Sequence, residues 1–363
     1  MPLDVTLIGG GMIIHDQILP SLYHLQRTGS IGDIWVCATR TTRLRELAEE
    51  PRFRTAFPDL GFRAFPDLET DPGQAFPELY KRVIDDTPPR SLVIVATPET
   101  LHERMVTHAL EQDQNVLCVK PLVLKHAEAV AIDRLAKDRG LFVGVEYHKR
   151  FDRRSLEARD AYRRGRFGQF RIGEAKLIEP WSYRHSNFQN WFTKENTDPF
   201  TYIGCHYVDL VYFISGLRPV EVSVKGVEGT FPNGNHGYLW AHGRVTFENG
   251  GILSVVNGLG YPDASGGSND QGMTLFCEGP DSGGIISHDD QYRGVEHGYI
   301  AEGSGEGAKL FGYVNPDYFR LVPWTGPGLR PRGIRARLDR GQRAGRDRGE
   351  RGPRPPGCAP GPR

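Results

Sequence analysis

The chain has no run of eighteen apolar residues and so no ordinary membrane-spanning helix; its first strand-like run begins at Leu3 with no basic, apolar leader before it. The expectation is a soluble, unexported, cytoplasmic protein with no membrane partner. Cysteine is scarce. Cys37, Cys118, Cys205, Cys277 and Cys358 are odd in number, scattered and never spaced C-x-x-C, which argues against a disulfide framework and a structural zinc site. Reduced thiols in apolar runs, and no metal, are expected. Net charge is absent too, with 45 basic and 45 acidic residues, but the balance is uneven: residues 330–363 hold eleven arginines, no lysine and three acids. The remainder carries an acidic excess of eight, which argues against a nucleic-acid surface.

That last stretch also lacks hydrophobic residues. "GLRPRGIRARLDRGQRAGRDRGERGPRPPGCAPGPR" (328–363) cannot bury enough apolar area to offset backbone ordering, so disorder is predicted. The abrupt switch to Arg, Gly, Pro and Ala matches a GC-rich gene translated in the wrong frame, a reading preferred to a functional basic tail.

At 363 residues, two folded domains are the default. Up to about residue 150, short apolar runs (DVTLIGG, DIWVCAT, SLVIVAT, NVLCVK, GLFVGVEY) alternate with amphipathic helical stretches. Continuous apolar strands separated by helices imply a parallel sheet covered on both faces, a doubly wound α/β domain. After Pro219, strand signals follow one another with Gly/Asn turns and no long helix between them, implying an α+β domain with a mostly antiparallel sheet open on one face. The boundaries drawn are 1–124 for a nucleotide-binding domain, 125–327 for a substrate and oligomerisation domain, with 125–150 returning to the first sheet, and 328–363 for the tail.

Chemistry concentrates at the ends of the apolar runs. In "LIGGGMII", Gly9 allows a tight turn after the first strand, Gly11 lets backbone approach a pyrophosphate, and Met12 and Ile13 open a helix whose start favours anions. The third glycine of the dinucleotide fingerprint is replaced by Ile14, and a structural turn would also accommodate the triplet. The second run ends "CATRTTRLRE", where Thr39, Arg40 and Arg43 precede the first acid, Glu46; this favours NADP over NAD, since an acid there would bind the ribose 2′-hydroxyl. In "VATPETLH", Thr97 and Pro98 end a strand and His102 opens the next helix. "NVLCVKPLVL" then places Lys120 before Pro121, where a cation needs a partner or a job.

The glycine loop, T-P-x-x-x-H, Lys-Pro and a later G-x-H-x-x-D (Gly204, His206, Asp209) occur in this order, and over residues 3 to 325 the chain resembles the glucose–fructose oxidoreductase / inositol dehydrogenase / rhizopine catabolism (Gfo/Idh/MocA) family. The resemblance implies a Rossmann domain followed by an open-faced sheet domain, NAD or NADP as cofactor, oxidation or reduction of hydroxyl groups on sugars and cyclitols, and assembly into dimers or tetramers through the open sheet face. It makes Lys120 the group that polarises the substrate oxygen and His206 the proton carrier. Two positions depart from the family pattern: Val119 stands where a glutamate precedes the lysine, and Tyr202 where an aspartate lies four residues before the histidine. Tyr202, spaced with His206 and Asp209 along one expected helical face, is a third catalytic candidate. Tyr147, His148 and Arg150 in "EYHKRFD", together with Lys120, Trp191, Tyr202 and Asp209, are expected to bind substrate; "EPWSYRHSNFQNWF" (179–192) offers ring faces and amides for a sugar, or a packed interdomain loop. Two alternatives stay open: a glycosidase using NAD for transient oxidation, and a non-catalytic dinucleotide or sugar sensor on the same fold.

Overall fold

The structure is a computed structural model and describes residues 2–265, 269–279 and 283–289. The expectation of a disordered tail over 328–363 lies outside the described residues.

The first sheet has six parallel strands: β1 (Leu3–Ile8), β2 (Ile31–Cys37), β3 (Arg63–Phe65), β4 (Leu92–Val95), β5 (Asn115–Val119) and β6 (Val143–Glu146), in the order β3-β2-β1-β4-β5-β6. Their apolar runs are buried on both faces. One face packs Leu7, Val36 and Ile94 against Ile14, Leu19 and Leu44; the other packs Val93, Val95 and Val116 against Met105, Val106 and Ile132. Burial of each such side chain contributes roughly 1.5–3 kcal/mol. Strand order reverses between β1 and β4, so the C-terminal ends of these two strands border the crevice where open α/β sheets place ligands. Helices α1 (Leu19–Arg27), α2 (Thr41–Glu49), α3 (Pro51–Ala56), α4 (Leu79–Asp85) and α5 (His102–Glu111) join the earlier strands, and α6 (His126–Arg139) crosses from β5 to β6, so residues 125–146 lie with the first sheet.

The second sheet contains β7 (Gln169–Pro180), β8 (Pro219–Thr230), β9 (His236–Phe247), β10 (Ile252–Tyr261), β11 (Asp270–Glu278) and β12 (Gly283–Asp289), ordered β12-β11-β7-β10-β9-β8. It is mostly antiparallel, with one parallel pair, β7 and β10. Two helices, α7 (Arg153–Arg163) and α8 (Cys205–Ser215), contribute Ala158, Tyr162, Tyr207, Leu210 and Ile214 to a core completed by Phe170, Val245, Leu253 and Leu275. On the opposite face, registered neighbours Ile285, Phe276 and Ile172 form an apolar row and are each about half exposed.

One local difference from the sequence pattern matters. The single helix expected over 202–215 begins as a π-helical turn, Phe200–Gly204, and becomes α-helical at Cys205. The extra residue per turn rotates Tyr202 away from the 3.6-residue phase of His206 and Asp209. Its ring enters an aromatic cluster with Phe188 and Phe192, at 5.2 and 5.6 Å between ring centres.

Candidate active site

The glycine turn closes at the end of β1, where Gly9 N–H donates to Cys37 O (2.8 Å) and Ala96 N–H to Ile8 O (2.8 Å). Gly9 has φ +133°, and a Cβ there would stand 2.2 Å from Ala96 O, so only glycine fits. A Cβ on Gly11 would meet nothing within 4 Å. The turn therefore packs tightly against the sheet at Gly9 and opens at Gly11, and the first-turn N–H groups of Met12 and Ile13 follow directly. This space and these donors fit a pyrophosphate. Ile14, in the place of the third glycine, is fully buried and starts a π-helical turn, Ile14–Ile18.

At the end of β2 the polar residues mostly meet their own chain. Arg40 donates to Gly73 O (2.7 Å), Arg43 pairs with Glu46 (2.6 Å), and Thr39 O accepts from Phe76 N–H (2.8 Å). His102 is fully buried and ties two loops together: Nδ1 lies 2.8 Å from Pro121 O and Nε2 2.8 Å from Thr97 O. Burial lowers its pKa while the carbonyls pull the other way, and the result stays below the ordinary value. His102 thus acts on the cleft through Thr97, Pro98 and Pro121 rather than by facing it.

Lys120 ends β5 with a cis bond to Pro121, and its ammonium donates to Tyr202 O at 2.7 Å while lying 3.6 Å from the centre of the Tyr202 ring. A residue from the first sheet is thereby fastened to the turn that leads into α8. His206, on the first turn of α8, is 5% exposed; its ring sits edge-on to His148 (4.8 Å) and Tyr147 (6.2 Å), and its Nδ1 has no hydrogen-bond partner. Burial, reinforced by the Lys120, His148 and Lys149 charges, holds its pKa well below 6.5. Burial likewise pushes up the phenols of Tyr147 and Tyr202, and the Cys205 thiol to about 11.

Arg150 and Asp209 meet each other, through Nε–Oδ2 at 2.7 Å and Nη2–Oδ1 at 2.5 Å. Burial raises the Asp209 pKa against the opposing pull of the guanidinium. Trp191 stacks on Phe188 (5.0 Å) and donates its indole N–H to Glu99 Oε2 (3.1 Å). The structure thus gathers Lys120, Tyr147, His148, Tyr202 and His206 in one place, with the glycine turn and Thr97–Pro98 at neighbouring strand ends. Among the described residues no group of three His, Cys, Asp or Glu could hold a metal ion. A surface hollow of about 820 Å³ lies at the other end of β7, lined by Tyr162, Arg163, Gln169 and Arg171, and shares no residue with this cluster.

Residues 3–147 match the model of the oxidoreductase family with an NAD-binding Rossmann fold (Gfo/Idh/MocA), and residues 155–279 match the Gfo/Idh/MocA C-terminal domain. The chain belongs to this family. Inositol 2-dehydrogenase 1 of Saccharopolyspora erythraea is 32% identical over 134 residues, covering 36% of this chain and 37% of that protein; D-glucoside 3-dehydrogenase of Escherichia coli is 22% identical, covering 69% of each. The match thus spans well under half of the inositol enzyme's length. Myo-inositol 2-dehydrogenase of Lactobacillus plantarum superposes with a TM-score of 0.60 at 17% identity, over 87% of this chain and 83% of the other, which shows a shared fold.

Within this Gfo/Idh/MocA chain, three acids near the cluster escaped the sequence reading. Glu99, 2% exposed, sits between Pro98 and His102 with Oε1 unpartnered. Glu146, at the end of β6, lies 3.4 Å from His148 Nδ1; burial raises its pKa, but His148 and the Lys120 charge prevail and hold it below the usual carboxylate value. Glu179, at the end of β7, is pushed up to about 7 by burial against the opposing charges of Lys120 and Lys149. The only signal for any of them was position, next to residues already singled out.

Proposed function

We propose that the protein is an NAD(P)-dependent dehydrogenase or reductase acting on a secondary hydroxyl or ketone of a sugar, amino sugar or cyclitol. The observation that carries this reading is the fastening of Lys120 to the Tyr202 turn, which holds the ammonium beside the His206 helix at the ligand-bearing edge of the first sheet. When bound along Gly9, Gly11 and Thr97–Pro98, the dinucleotide supplies the hydride acceptor or donor. Lys120 donates toward the substrate oxygen and stabilises negative charge developing there. His206, held neutral, offers a hydrogen bond at the same oxygen, and the faces of Tyr147, Trp191 and Tyr202 suit the apolar side of a sugar or cyclitol ring. NADP is the preferred coenzyme, because Thr39 and Arg40 end β2 with no acid before Glu46, and Arg43 already neutralises that acid.

A second copy of the chain is the proposed occupant of the open face of the second sheet, where Ile285, Phe276 and Ile172 align across three strands. Light scattering should give a dimer or tetramer, and Phe276→Lys should shift it towards monomer.

Fluorescence titration with NADPH and NADH, followed by absorbance assays on a polyol panel that includes myo-inositol, tests the reading. Lys120→Ala should lower turnover by about 10²–10⁴-fold and leave coenzyme binding largely intact. Retained turnover would reject the role of Lys120, and failure to bind either coenzyme would reject the function.

A further inference from the structure

A buried base needs a way to give up the proton it takes. His206 is 5% exposed, its Nδ1 is sealed from solvent without a partner, and the Lys120 and Lys149 cations stand within electrostatic reach of it. The family pattern has an acid four residues before this histidine; here Tyr202 stands there, turned by the π-helical turn into the aromatic cluster of Phe188 and Phe192. A proton left on His206 after a hydroxyl is oxidised would block the next turnover, so it has to move on.

His148 is the neighbour placed to take it. It opens the short 3₁₀ turn His148–Phe151 after β6, its ring stands edge-on to that of His206 with centres 4.8 Å apart, and its side chain keeps 29% of its surface in solvent. On its other side Glu146 Oε1 lies 3.4 Å from His148 Nδ1, and no hydrogen bond holds that nitrogen elsewhere. Burial favours the neutral form of Glu146, yet the His148 and Lys120 charges prevail and keep it an anion. β5 and β6 register Val119 against Glu146, so the carboxylate missing from the position before Lys120 is present on the neighbouring strand. With a carboxylate against His148 and the lysine charges bearing on His206, the local field draws a proton from His206 towards His148.

We propose that His148, backed by Glu146, is the proton shuttle of the reaction: it relieves His206 of the substrate's proton and passes it to solvent, and it returns one in the reverse direction. The inference rests on the dehydrogenase reading, with Lys120 and His206 in their roles. In oxidation the substrate O–H bond breaks as an N–H bond forms on His206; the C–H bond breaks with its electron pair leaving to the oxidised nicotinamide, and the C=O bond forms with its oxygen beside Lys120. The His206 N–H bond then breaks and an N–H bond forms on His148 Nε2, across a gap that one water or a turn of either ring closes. Glu146 facing Nδ1 keeps that nitrogen protonated, which leaves Nε2 with the lone pair that accepts. His148 finally gives the proton to water or buffer.

The test measures the first and the later turnovers separately, with myo-inositol and methyl glucoside as probes and each oxidised coenzyme. In His148→Ala the first turnover should keep its rate within about threefold, because His206 still takes the proton, while steady-state kcat should fall about 10²-fold with NADPH binding unchanged, leaving a burst of one reduced coenzyme per site. Imidazole added to the buffer should restore much of the lost kcat in proportion to its concentration and do nothing for wild type. Glu146→Gln should show the same burst to a smaller degree. Independently of turnover, nitrogen NMR of the free protein should find the neutral His148 ring protonated at Nδ1 in wild type and as a mixture of tautomers in Glu146→Gln. A first turnover that slows as much as kcat, no rescue by imidazole, or the opposite tautomer in wild type overturns the proposal. If wild type turns over and His148→Ala leaves kcat unchanged, this inference alone fails; if wild type turns over no polyol, the dehydrogenase reading fails with it.

Discussion

The bidentate pair between Arg150 and Asp209 makes a quantitative demand. Asp209→Ala would leave the guanidinium without its partner in a place where the aspartate side chain is 10% exposed and the arginine 30%. Breaking a fully buried pair costs about 3–5 kcal/mol. Because Arg150 keeps nearly a third of its surface in water, that cost falls to roughly 2–3 kcal/mol. At about 2–4 °C per kcal/mol for domains of this size, Tm should drop by roughly 4–12 °C. Replacing both partners, as in Arg150→Met with Asp209→Leu, should recover much of the loss, since no charge is then stranded. Differential scanning calorimetry on the two variants measures both quantities. With the pair acting as a strut between the segment after β6 and α8, kcat/KM on any accepted polyol should change by less than about threefold, measured well below the transition. A loss of stability under about 0.5 kcal/mol, no recovery in the double variant, or a hundredfold fall in kcat/KM with unchanged Tm would refute the argument; the last result would return both residues to the substrate.

Gly9→Ala should abolish NAD(P)H binding and lower stability by several kcal/mol, of order 3, because its Cβ collides with Ala96 O at a positive φ; equilibrium binding and urea unfolding check this. His206 is held neutral, with its folded pKa below the unfolded value of about 6.5, so the unfolded chain binds the extra proton first. Its contribution to stability is present above about pH 6.5 and is lost as pH falls from there, at up to about 1.4 kcal/mol per pH unit; His206→Phe should flatten that slope in urea titrations. Arg40→Asp should shift the NADPH-to-NADH affinity ratio towards NADH by roughly tenfold or more, measured by fluorescence.

Much of the fold was legible because buried parallel strands have to be continuous apolar runs, and β1, β2, β4, β5 and β6 stand out in that way. Gly9, Gly11, Lys120 and His206 could be singled out as candidates from the sequence because the motifs that carry them are local. The partners were not. Lys120 meets Tyr202 across 82 positions, and Arg150 meets Asp209 across 59; no periodicity records such contacts. The π-helical turn at Phe200–Gly204 was hidden for a different reason: its sequence is as apolar as an α-helix of the same length, and only packing of the Tyr202 ring against Phe188 and Phe192 distinguishes the two. Glu179 opens a stretch rich in aromatic and amide side chains, and that composition drew the eye away from its carboxyl group.

The stretch from Trp181 to Trp191 touches Met12 through Tyr183 and Glu99 through its own last residue, while Arg184 donates to Leu259 O of β10 and lies over the Trp181 ring. Two loops and one strand of separate origin therefore share a single tether. A substitution that moves Leu259 on β10 would reach Met12 of the glycine turn through Arg184 and Tyr183 without altering any residue of that turn. In this architecture the shape of the glycine turn and the shape of the second sheet are not set independently, because one short segment leans on both.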